Sequence, residues 1–588
     1  MNRNTLLAIF LILVVVTLFS SETYNKFFYE NIYPKKPYIT HNKQYSKNTQ
    51  KQDVTIDSTE TVKSDTAPVV TETNVSEKAD VTIKADSVFV ETDDMIVCID
   101  EIGASIVSIK MKKFKYNEDK NKNRKKGDLI DIIPNNSGKG MNFSINKSDY
   151  SNKVFKINSV NKNFKIENSD EKIISFETDD NGQKVIKQYV FKNGTYKIGC
   201  NVIRNDLSGK NIEMRWDCGV EESEKNKPMQ PEIRTAHYSD GKYSQHLQFT
   251  KEDKESSSGS YKWAGVTSKY FFVAIVNESN KDADIAINSF KDEKEVVDKK
   301  NSTINYKFSY ATIAENQKES FWIYAGPNDY EELRKYNLAF DNNLFPVLSW
   351  AKWLFFSDKW FPALAEGVLW LLIHLYKIVK DYGVTIFLLT LLVKLVTYPM
   401  TYSSMKSMSR MRDLQPKITQ LREKHKNNPR KMNEEMMALY KKEGINPLNP
   451  GCLPMFLQMP IFISLFVVLR KAIELRGAET VIIPWINDLS KPEMIFQLPF
   501  SIPLYGDNFA ILPIIMAVLT YFQNKMTIKD PNQKAMIYFM PPFMLVLFNS
   551  FSAGLVLYWT LSSVFAIIQQ VLLDKQLKKN EVIKNAKK

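Results

Sequence analysis

The sequence has little cysteine and histidine, and neither residue type occurs in a metal-binding pattern. Four cysteines and five histidines are scattered over 588 residues, without CxxC, HxxxH or HExxH spacing. The sequence also lacks a P-loop, a GxGxxG turn and a GxSxG elbow, which are the patterns that hold phosphates, dinucleotides or a catalytic serine. It therefore predicts a protein that is not an enzyme and has no catalytic residue, no metal and no cofactor.

Long apolar runs are nearly absent from residues 40–345, which are rich in Lys, Asn, Asp, Ser and Thr. They are concentrated in residues 346–588, where runs such as Ala535–Phe548 are too apolar for a soluble protein. This division predicts a polar domain joined to a membrane domain and excludes a wholly soluble enzyme. The aromatic content of 12% excludes a fully disordered chain.

The first 85 residues predict an anchor and a tether. The apolar run Leu6–Phe19 has the length of a signal peptide, but Ser20 and Ser21 follow bulky residues that fit a cleavage site poorly. We interpret residues 1–21 as an uncleaved signal-anchor transmembrane helix. Residues 22–85 predict a largely disordered tether, because most of this segment has few large apolar residues.

Residues 86–345 show the two-residue period of β-strands. Asn181-Gly182 and Asn193-Gly194 lie between such runs and are strong hairpin signals. Many short strands with few helical patterns predict an all-β antiparallel sandwich. A disulfide among Cys98, Cys200 and Cys218 is left open by the sequence. The predicted strands are Ser87–Glu91, Met95–Asp100, Lys184–Val190, Thr195–Ile203, Tyr270–Val276, Asp284–Phe290, Thr303–Tyr310 and Ser320–Tyr324.

The second half predicts an α-helical polytopic membrane protein. A span needs ~20 mostly apolar residues to cross ~30 Å, and five runs meet this need, which gives six transmembrane helices with the anchor. Residues 383–573 form the predicted five-helix core. Segment 346–382 predicts an amphipathic helix in the interface, since its run Phe361–Tyr376 is short and follows clustered aromatic residues. The five spans are Gly383–Met400, Cys452–Leu469, Phe509–Met526, Lys534–Ser550 and Leu555–Leu573.

The basic residues of the loops predict the orientation. Loop 401–450 has eleven Lys and Arg residues, loop 471–508 has three, and the tail 574–588 has six lysines. Because basic loops face the cytoplasm, both termini are predicted to be cytoplasmic and the large domain periplasmic. This topology belongs to a multi-pass protein of a bacterial inner membrane.

Lys394 is the sharpest functional feature, because a lysine inside a span costs ~2.5–3.5 kcal/mol and is usually functional or paired. One interpretation is that its long side chain reaches the cytoplasmic interface. The other is a hydrated, positively charged groove, favoured by the absence of a suitably placed acid in the other spans and by their polar residues and prolines. Each polar residue alone is compatible with ordinary helix packing. These residues are Thr390, Gln458, Gln523, Asn549, Ser550, Ser562 and Ser563.

Loop 401–450 predicts a cytosolic helical hairpin, in which Asn428 caps the second helix and Pro429 occupies its first position. Its methionine stripe allows two interpretations, which are packing within the hairpin and an adaptable surface for varied clients. The basic face can also contact anionic lipid. The basic tail is a topology signal or a site attracted to ribosomal RNA. The methionines of the stripe are Met405, Met408, Met411, Met432 and Met436.

Two stretches resemble the YidC family of membrane protein insertases. They begin TYPMTYSSMKSMSRMRDLQPKITQL at Thr397 and FMPPFMLVLFNSFSAGLVLYWTLSS at Phe539. The anchor, tether and β-rich domain that precede them are similar to the Gram-negative form of the family, which has a large periplasmic domain. The resemblance implies that nascent membrane proteins are the clients, that the secretion translocon is a partner, and that there is no small-molecule substrate.

The resemblance also implies a substrate groove that is open to the cytosol and to lipid and closed toward the periplasm. Lys394 matches the positive residue of that groove, where many bacterial members have arginine; lysine keeps the charge but loses the two-point geometry. Thr390, Gln458, Tyr558 and Trp559 match positions that line the groove or contact clients. The hairpin 401–443 resembles the client-receiving element of the family.

Two other functions are compatible with parts of the sequence. A translocon-associated assembly factor without insertion activity of its own would have the same residues. A secondary transporter or channel would have paired intramembrane charges and inverted repeats, whereas the sequence shows one unpaired lysine and no internal repeat.

Overall fold

The computed structural model describes residues 87–586 with internal gaps, so the predicted anchor 1–21 and tether 22–85 lie outside the described residues. The gaps are residues 118–124, 135–137, 169, 225–233, 242–243, 250, 278, 280, 292–303, 339–359, 427, 444–452, 503–504 and 528–533.

Residues 87–338, here called the β-domain, contain twenty described strands and a short helix, α1 (Tyr330–Lys335). The strands are β1 Ser87–Glu91, β2 Met95–Asp100, β3 Ser105–Lys115, β4 Leu129–Asp131, β5 Gly140–Ile145, β6 Ser148–Asp149, β7 Lys156–Ile157, β8 Asn163–Lys165, β9 Glu171–Asp180, β10 Gln183–Lys192, β11 Lys197–Arg204, β12 Asn211–Trp216, β13 Thr235–Ser239, β14 Ser244–Leu247, β15 Lys254–Gly259, β16 Trp263–Thr267, β17 Phe271–Val276, β18 Ala283–Lys291, β19 Ile304–Ile313 and β20 Lys318–Pro327.

The strands form two large sheets that pack face to face. One sheet has the order β15-β18-β19-β12-β5-β3-β2-β1-β8, with β4 and β6 paired at its side, and the other has the order β14-β13-β16-β17-β20-β11-β10-β9-β7. Almost all neighbours are antiparallel, β1 with β8 being parallel. Buried side chains from both sheets form one continuous core that includes Phe143, Trp216 and Tyr324. The predicted β-sandwich is confirmed.

Each of the eight predicted strand runs overlaps an observed strand, and both predicted hairpins are present. β9 and β10 pair from Asp180 with Gln183, and the two turn residues, Asn181 and Gly182, have φ of 55° and 80°. Asparagine and glycine tolerate these left-handed angles, which match the twist of the flanking strands. β10 and β11 likewise pair across Asn193-Gly194. The possible disulfide is not formed: Cys98, Cys200 and Cys218 are all free cysteines, and all three are buried.

The remaining described elements belong to residues 360–586, here called the helical domain. Its helices are α2 Trp360–Val379, α3 Tyr382–Asp413, α4 Gln415–Lys424, α5 Pro429–Lys442, α6 Leu453–Lys471, α7 Leu512–Thr527, α8 Lys534–Phe548 and α9 Ala553–Ala586; a 3-10 turn at Ile473–Leu475 and a two-stranded sheet, β21 Phe496–Ile502 with β22 Gly506–Phe509, lie between α6 and α7.

Two helices of the described part of the chain are long and apolar enough to cross a membrane, with the spanning segments Tyr382–Pro399 and Ala553–Gln576. Ala535–Phe548 is a shorter apolar helix. α3 and α6 both pack on α9, and α7 packs between α8 and α9. The bundle therefore assembles around α9, whose residues Leu555–Tyr558 are buried in its core.

Helix α2 covers the predicted interfacial run but is not isolated from the bundle. Ala365, Leu369 and Leu372 are buried against the helical core, whereas Trp370 and Ile378 are exposed. This division agrees with the amphipathic pattern of the sequence.

The observed hairpin is shorter than the predicted one, 401–450, because α3 continues to Asp413 without a break. Met405, Met408 and Met411 therefore lie on the extension of α3, and the hairpin consists of α4 and α5. The predicted cap is confirmed, since the Asn428 side chain accepts a hydrogen bond from the Lys431 amide at 3.2 Å and Pro429 begins the helix. Similarly, the residues of the predicted tail belong to α9, which continues as a helix to Ala586.

The start of α3 approaches the loop after α6 so closely that only glycine fits. A Cβ atom at Gly383 would lie 2.6 Å from the Cβ of Thr480, whose hydroxyl is held at 2.9 Å by Asp381. We expect Gly383→Ala to lower the free energy of unfolding of the full-length protein in detergent by about 1–3 kcal/mol, because overpacking forces the loop away.

The matched control is Gly367→Ala on α2, where an added Cβ would meet nothing within 4 Å. Alanine should be neutral or stabilising there by up to about 1 kcal/mol. Equal thermal midpoints for the two variants would contradict the close approach at Gly383.

Candidate functional site

Lys394 lies on the side of α3 that faces the bundle. Thr390 and Ile386, one and two turns earlier on the same face, are fully buried, and Thr397 is buried one turn later. Leu395 and Val396 on the other face are 64% and 71% exposed, which marks the side of the helix turned away from the bundle. The Lys394 side chain is half-buried, and no described carboxylate lies within ion-pair distance of its amine.

The two threonines beside Lys394 direct their hydroxyls to their own helix. Thr390 Oγ1 donates to the carbonyl of Ile386 at 2.6 Å, and Thr397 Oγ1 donates to that of Val393 at 2.8 Å. Such bonds satisfy a hydroxyl within an apolar bundle. They leave Lys394 as the one described cationic group on this stretch of the inward face.

Trp559 lies in a group of five rings, here called the aromatic cluster. Its ring meets Phe462 of α6 at 4.9 Å and Phe548 of α8 at 5.3 Å between centroids. Phe551 adds contacts to Phe466 at 5.5 Å and to Phe548 at 5.0 Å. The cluster fills the space between α6, α8 and α9 on the side of the bundle nearest the β-domain. Sequence reasoning missed its four phenylalanines, because Phe462 and Phe466 lie far from Trp559 in the sequence and meet it only through helix packing.

Of the two remaining predicted groove residues, Tyr558 and Gln458, the structure describes the side chain of Tyr558 alone. Tyr558 is fully buried in the helical core beside the aromatic cluster. Gln458 lies on α6, but its side chain is outside the described part. The helices that carry the predicted set, α3, α6 and α9, are mutual neighbours, and the rings of Phe387 on α3 and Phe565 on α9 lie 5.5 Å apart.

The loop between α6 and α7, here called the outer loop (residues 472–511), closes the bundle on the side of the β-domain. Asp381 at the start of α3 accepts from the Val481 amide at 2.9 Å. Asn549 at the end of α8 donates to the carbonyls of Tyr505 and Asn508 at 2.8 and 3.0 Å. Glu493 accepts from the Leu512 amide at the start of α7 at 2.7 Å. The outer loop thus ties together the outer ends of three helices.

The opposite end of the bundle carries the α4–α5 hairpin, which has a small core of its own. Leu414 and Ile418 are buried against Met436, Leu439 and Tyr440. Met432 is half-buried and Met437 is 54% exposed. Packing within the hairpin therefore engages Met436, while the neighbouring methionines keep accessible surface. The side chains of Met405, Met408 and Met411 are outside the described part.

Comparisons with known proteins match both domains. A family model described as the YidC periplasmic domain matches residues 87–362, and one described as the 60Kd inner membrane protein matches residues 374–580. Over 437 residues the chain is 32% identical to the membrane protein insertase YidC of Chloroherpeton thalassium, covering 72% of each chain. The chain belongs to the YidC family of membrane protein insertases.

Two further proteins are similar to this chain. The chain is 35% identical over 405 residues to the membrane protein insertase YidC of Prosthecochloris aestuarii, covering 67% of this chain and 66% of the relative. A solved structure described as an active YidC insertase covers 83% of this chain with 18% identity and a TM-score of 0.35. The β-domain matches the periplasmic domain of this family, and the outer loop contacts it.

Proposed function

We propose that this chain inserts nascent membrane proteins through a groove beside Lys394 that is open to the cytosol and closed by the outer loop and the aromatic cluster. In this proposal six helices span the membrane, the anchor 1–21 included, and both termini are cytoplasmic. A client presents a short polar outer segment to the groove from the cytosol. Its apolar helix moves along the exposed side of α3 into lipid.

The observation that carries the proposal is the position of Lys394 on the inward face of α3. A cation held inside a span without a described acidic partner attracts acidic groups and the water that hydrates them. At about 10 Å and an effective dielectric constant of ~20, a carboxylate gains roughly 1.7 kcal/mol from such a cation. This gain offsets part of the cost of removing an acidic segment from bulk water.

The exposed face of α3 supports the second part of the proposal. Leu392, Leu395 and Val396 offer an apolar surface directly beside the side that bears Lys394. A client helix that moves along this surface buries apolar area in lipid, at about 25 cal/mol per Å². A membrane potential that is positive outside adds about 2.3 kcal/mol per 100 mV for each negative charge that crosses. Insertion by this route needs no nucleotide.

The cytosolic elements are proposed to receive clients before they enter the groove. The accessible methionines of the α4–α5 hairpin provide a soft apolar surface that suits clients of different sequence. The lysines of the α9 extension are placed to attract anionic lipid or ribosomal RNA. Cooperation with the secretion translocon extends the same activity to larger clients.

Reconstitution tests the proposal. Full-length protein in liposomes without translocon should insert a small single-span client that has an acidic outer tail, measured by protection of the tail from added protease. A client whose acidic residues are replaced by their amides should insert with less dependence on an imposed potential. Liposomes that contain the protein but protect no more client than empty liposomes would favour the assembly-factor alternative.

A further inference from the structure

Glu224 is an acidic residue of the periplasmic domain that is buried against the helical domain. Its carboxylate receives a hydrogen bond from Arg476 Nε at 2.6 Å and lies 2.9 Å from the amine of Lys491. The side chains of Glu224 and Arg476 are 6% and 5% exposed. Burial alone would raise the pKa of Glu224, but the two cations hold it below its ordinary value. The carboxylate is therefore charged at neutral pH.

The contacts around Glu224 fix the outer loop to the β-domain from several directions. Arg476 also donates to the carbonyl of Lys115 at 2.8 Å, and its guanidinium lies 5.9 Å from the centre of the Tyr270 ring. Asn117 donates to Asp488 at 3.0 Å. Ile473 is buried with the core of the β-domain. The charged contact is largely buried and has an apolar neighbour, unlike an exposed surface ion pair.

The same loop segment holds the first turn of α9. The amide of Ala553 donates to the carbonyl of Lys491 at 2.7 Å, and the amide of Gly554 donates to that of Leu489 at 2.9 Å. The first amides of a helix have no partner within it, so these bonds determine where the helix begins. Tyr558 and Trp559 follow within the next two turns. One residue, Lys491, thus binds Glu224 through its side chain and α9 through its backbone.

We propose that Glu224 is a positioning residue through which the periplasmic domain sets the start of α9 and, with it, Tyr558 and Trp559 at the closed end of the groove. This role rests on the proposed function, because it gives the periplasmic domain a part in insertion. In the absence of the carboxylate, Glu224 no longer bridges the two cations, and Lys491 keeps Asp488 at 3.9 Å from its amine. Repulsion between Arg476 and Lys491 then moves Lys491 away from Ala553.

The test compares variants of the full-length protein in liposomes by hydrogen–deuterium exchange in peptides that cover the start of α9, together with the client insertion rate. Glu224→Gln keeps the shape and removes the charge. We expect about ten-fold faster exchange of the Ala553 and Gly554 amides and a several-fold slower insertion at saturating client, with unchanged exchange in β10 and β11. Glu224→Asp keeps the negative charge and should therefore restore most of the slow amide exchange and most of the insertion rate of the wild type.

The matched control is Glu331→Gln. Glu331 is also an acid of the β-domain that pairs with a lysine of the helical domain, Lys377, at 3.4 Å, but both side chains are about half exposed. This variant should leave exchange and insertion as in wild type. The double variant Glu224→Gln with Lys491→Met should be no worse than Glu224→Gln alone, because one of the two cations that repel each other is removed.

Three outcomes would overturn the inference. The first is wild-type exchange at Ala553 and Gly554 in Glu224→Gln. The second is faster exchange of these two amides in Glu224→Gln with an unchanged insertion rate, which would show that the contact holds the helix start but does not position Tyr558 and Trp559 for insertion. The third is an effect of Glu331→Gln equal to that of Glu224→Gln. The exchange measurement does not depend on insertion. A wild-type protein that inserts no client would refute the proposed function, but the exchange of the Ala553 and Gly554 amides would still show whether Glu224 sets the start of α9.

Discussion

Lys394→Glu is expected to slow insertion of a client with an acidic outer tail on the order of a hundred-fold. Removing the positive charge loses the attraction of roughly 1.7 kcal/mol estimated at ~10 Å, and reversing it adds a repulsion of similar size. Lys394→Met keeps an unbranched stem and should slow insertion roughly ten-fold, while Lys394→Arg should retain most of the rate. Initial insertion rates in liposomes, at equal protein content, provide the measurement.

The same client without acidic residues is the control for this series. Its insertion should change little among the Lys394 variants, because no charge in the client responds to the groove. If Lys394→Met matches wild type with the acidic client, the lysine serves only to reach the interface with its amine. If both clients fail equally, the substitutions have damaged the bundle.

Lys187→Met is expected to lower the free energy of unfolding of the periplasmic domain by about 3 kcal/mol at pH 7. Lys187 is fully buried, and its amine donates to the carbonyls of Gly103 at 3.1 Å, Ala104 at 2.9 Å and Met141. Methionine matches its volume but removes the lysine donor from the carbonyls of Gly103 and Met141, at about 1–3 kcal/mol each. The Ala104 carbonyl keeps the Tyr189 hydroxyl as a donor at 2.7 Å. Relief of the buried charge offsets part of that loss.

The pH dependence tests whether the buried amine of Lys187 loses its proton more readily in the folded protein than in the unfolded one. Burial lowers the pKa of Lys187 from 10.5 to about 8. Between about pH 8 and 10.5 the unfolded lysine keeps a proton that the folded one releases, so its contribution to stability rises with pH. The difference in unfolding free energy between wild type and Lys187→Met should therefore widen from pH 8 to 10.

The control for this prediction is Lys184→Met on the same strand, β10. The Lys184 side chain is 60% exposed and pairs with Glu177 at the surface, so the change should stay within about 0.5 kcal/mol at all pH values. Chemical unfolding of the full-length protein in detergent, followed through the β-domain, distinguishes the two lysines. A Lys187→Met variant as stable as Lys184→Met would contradict a structural role for the buried amine.

Local sequence chemistry predicted those parts of the fold that depend on neighbouring residues. The Asn181-Gly182 turn needs left-handed angles that these residues tolerate, and the Asn428-Pro429 start needs only a side-chain cap. Strands such as β13 (Thr235–Ser239) and β15 (Lys254–Gly259) were missed. β13 is buried on both faces despite its polar residues, and β15 is a polar strand at the end of its sheet, so neither shows an apolar alternation.

The candidate site was predictable only in part, for the same reason. Lys394 stands out because a charge in an apolar run is costly wherever the helix packs. Glu224 could not be singled out, because its partner Arg476 is 252 residues away in the sequence and nothing local distinguishes it from the acids around it. The aromatic cluster likewise depends on the packing of three helices.

Site-specific photo-crosslinking to a client arrested during insertion tests the central claim most directly. A photoreactive residue at Leu391, one turn before Lys394 and half-buried, keeps the lysine and should crosslink to the acidic outer segment of the client. One at Val396, on the exposed side of the same helix, should crosslink to the client's apolar helix. Such a division would place the two parts of the client on the two faces of α3. Crosslinks to the acidic segment from position 396 but not from 391 would contradict a groove beside Lys394.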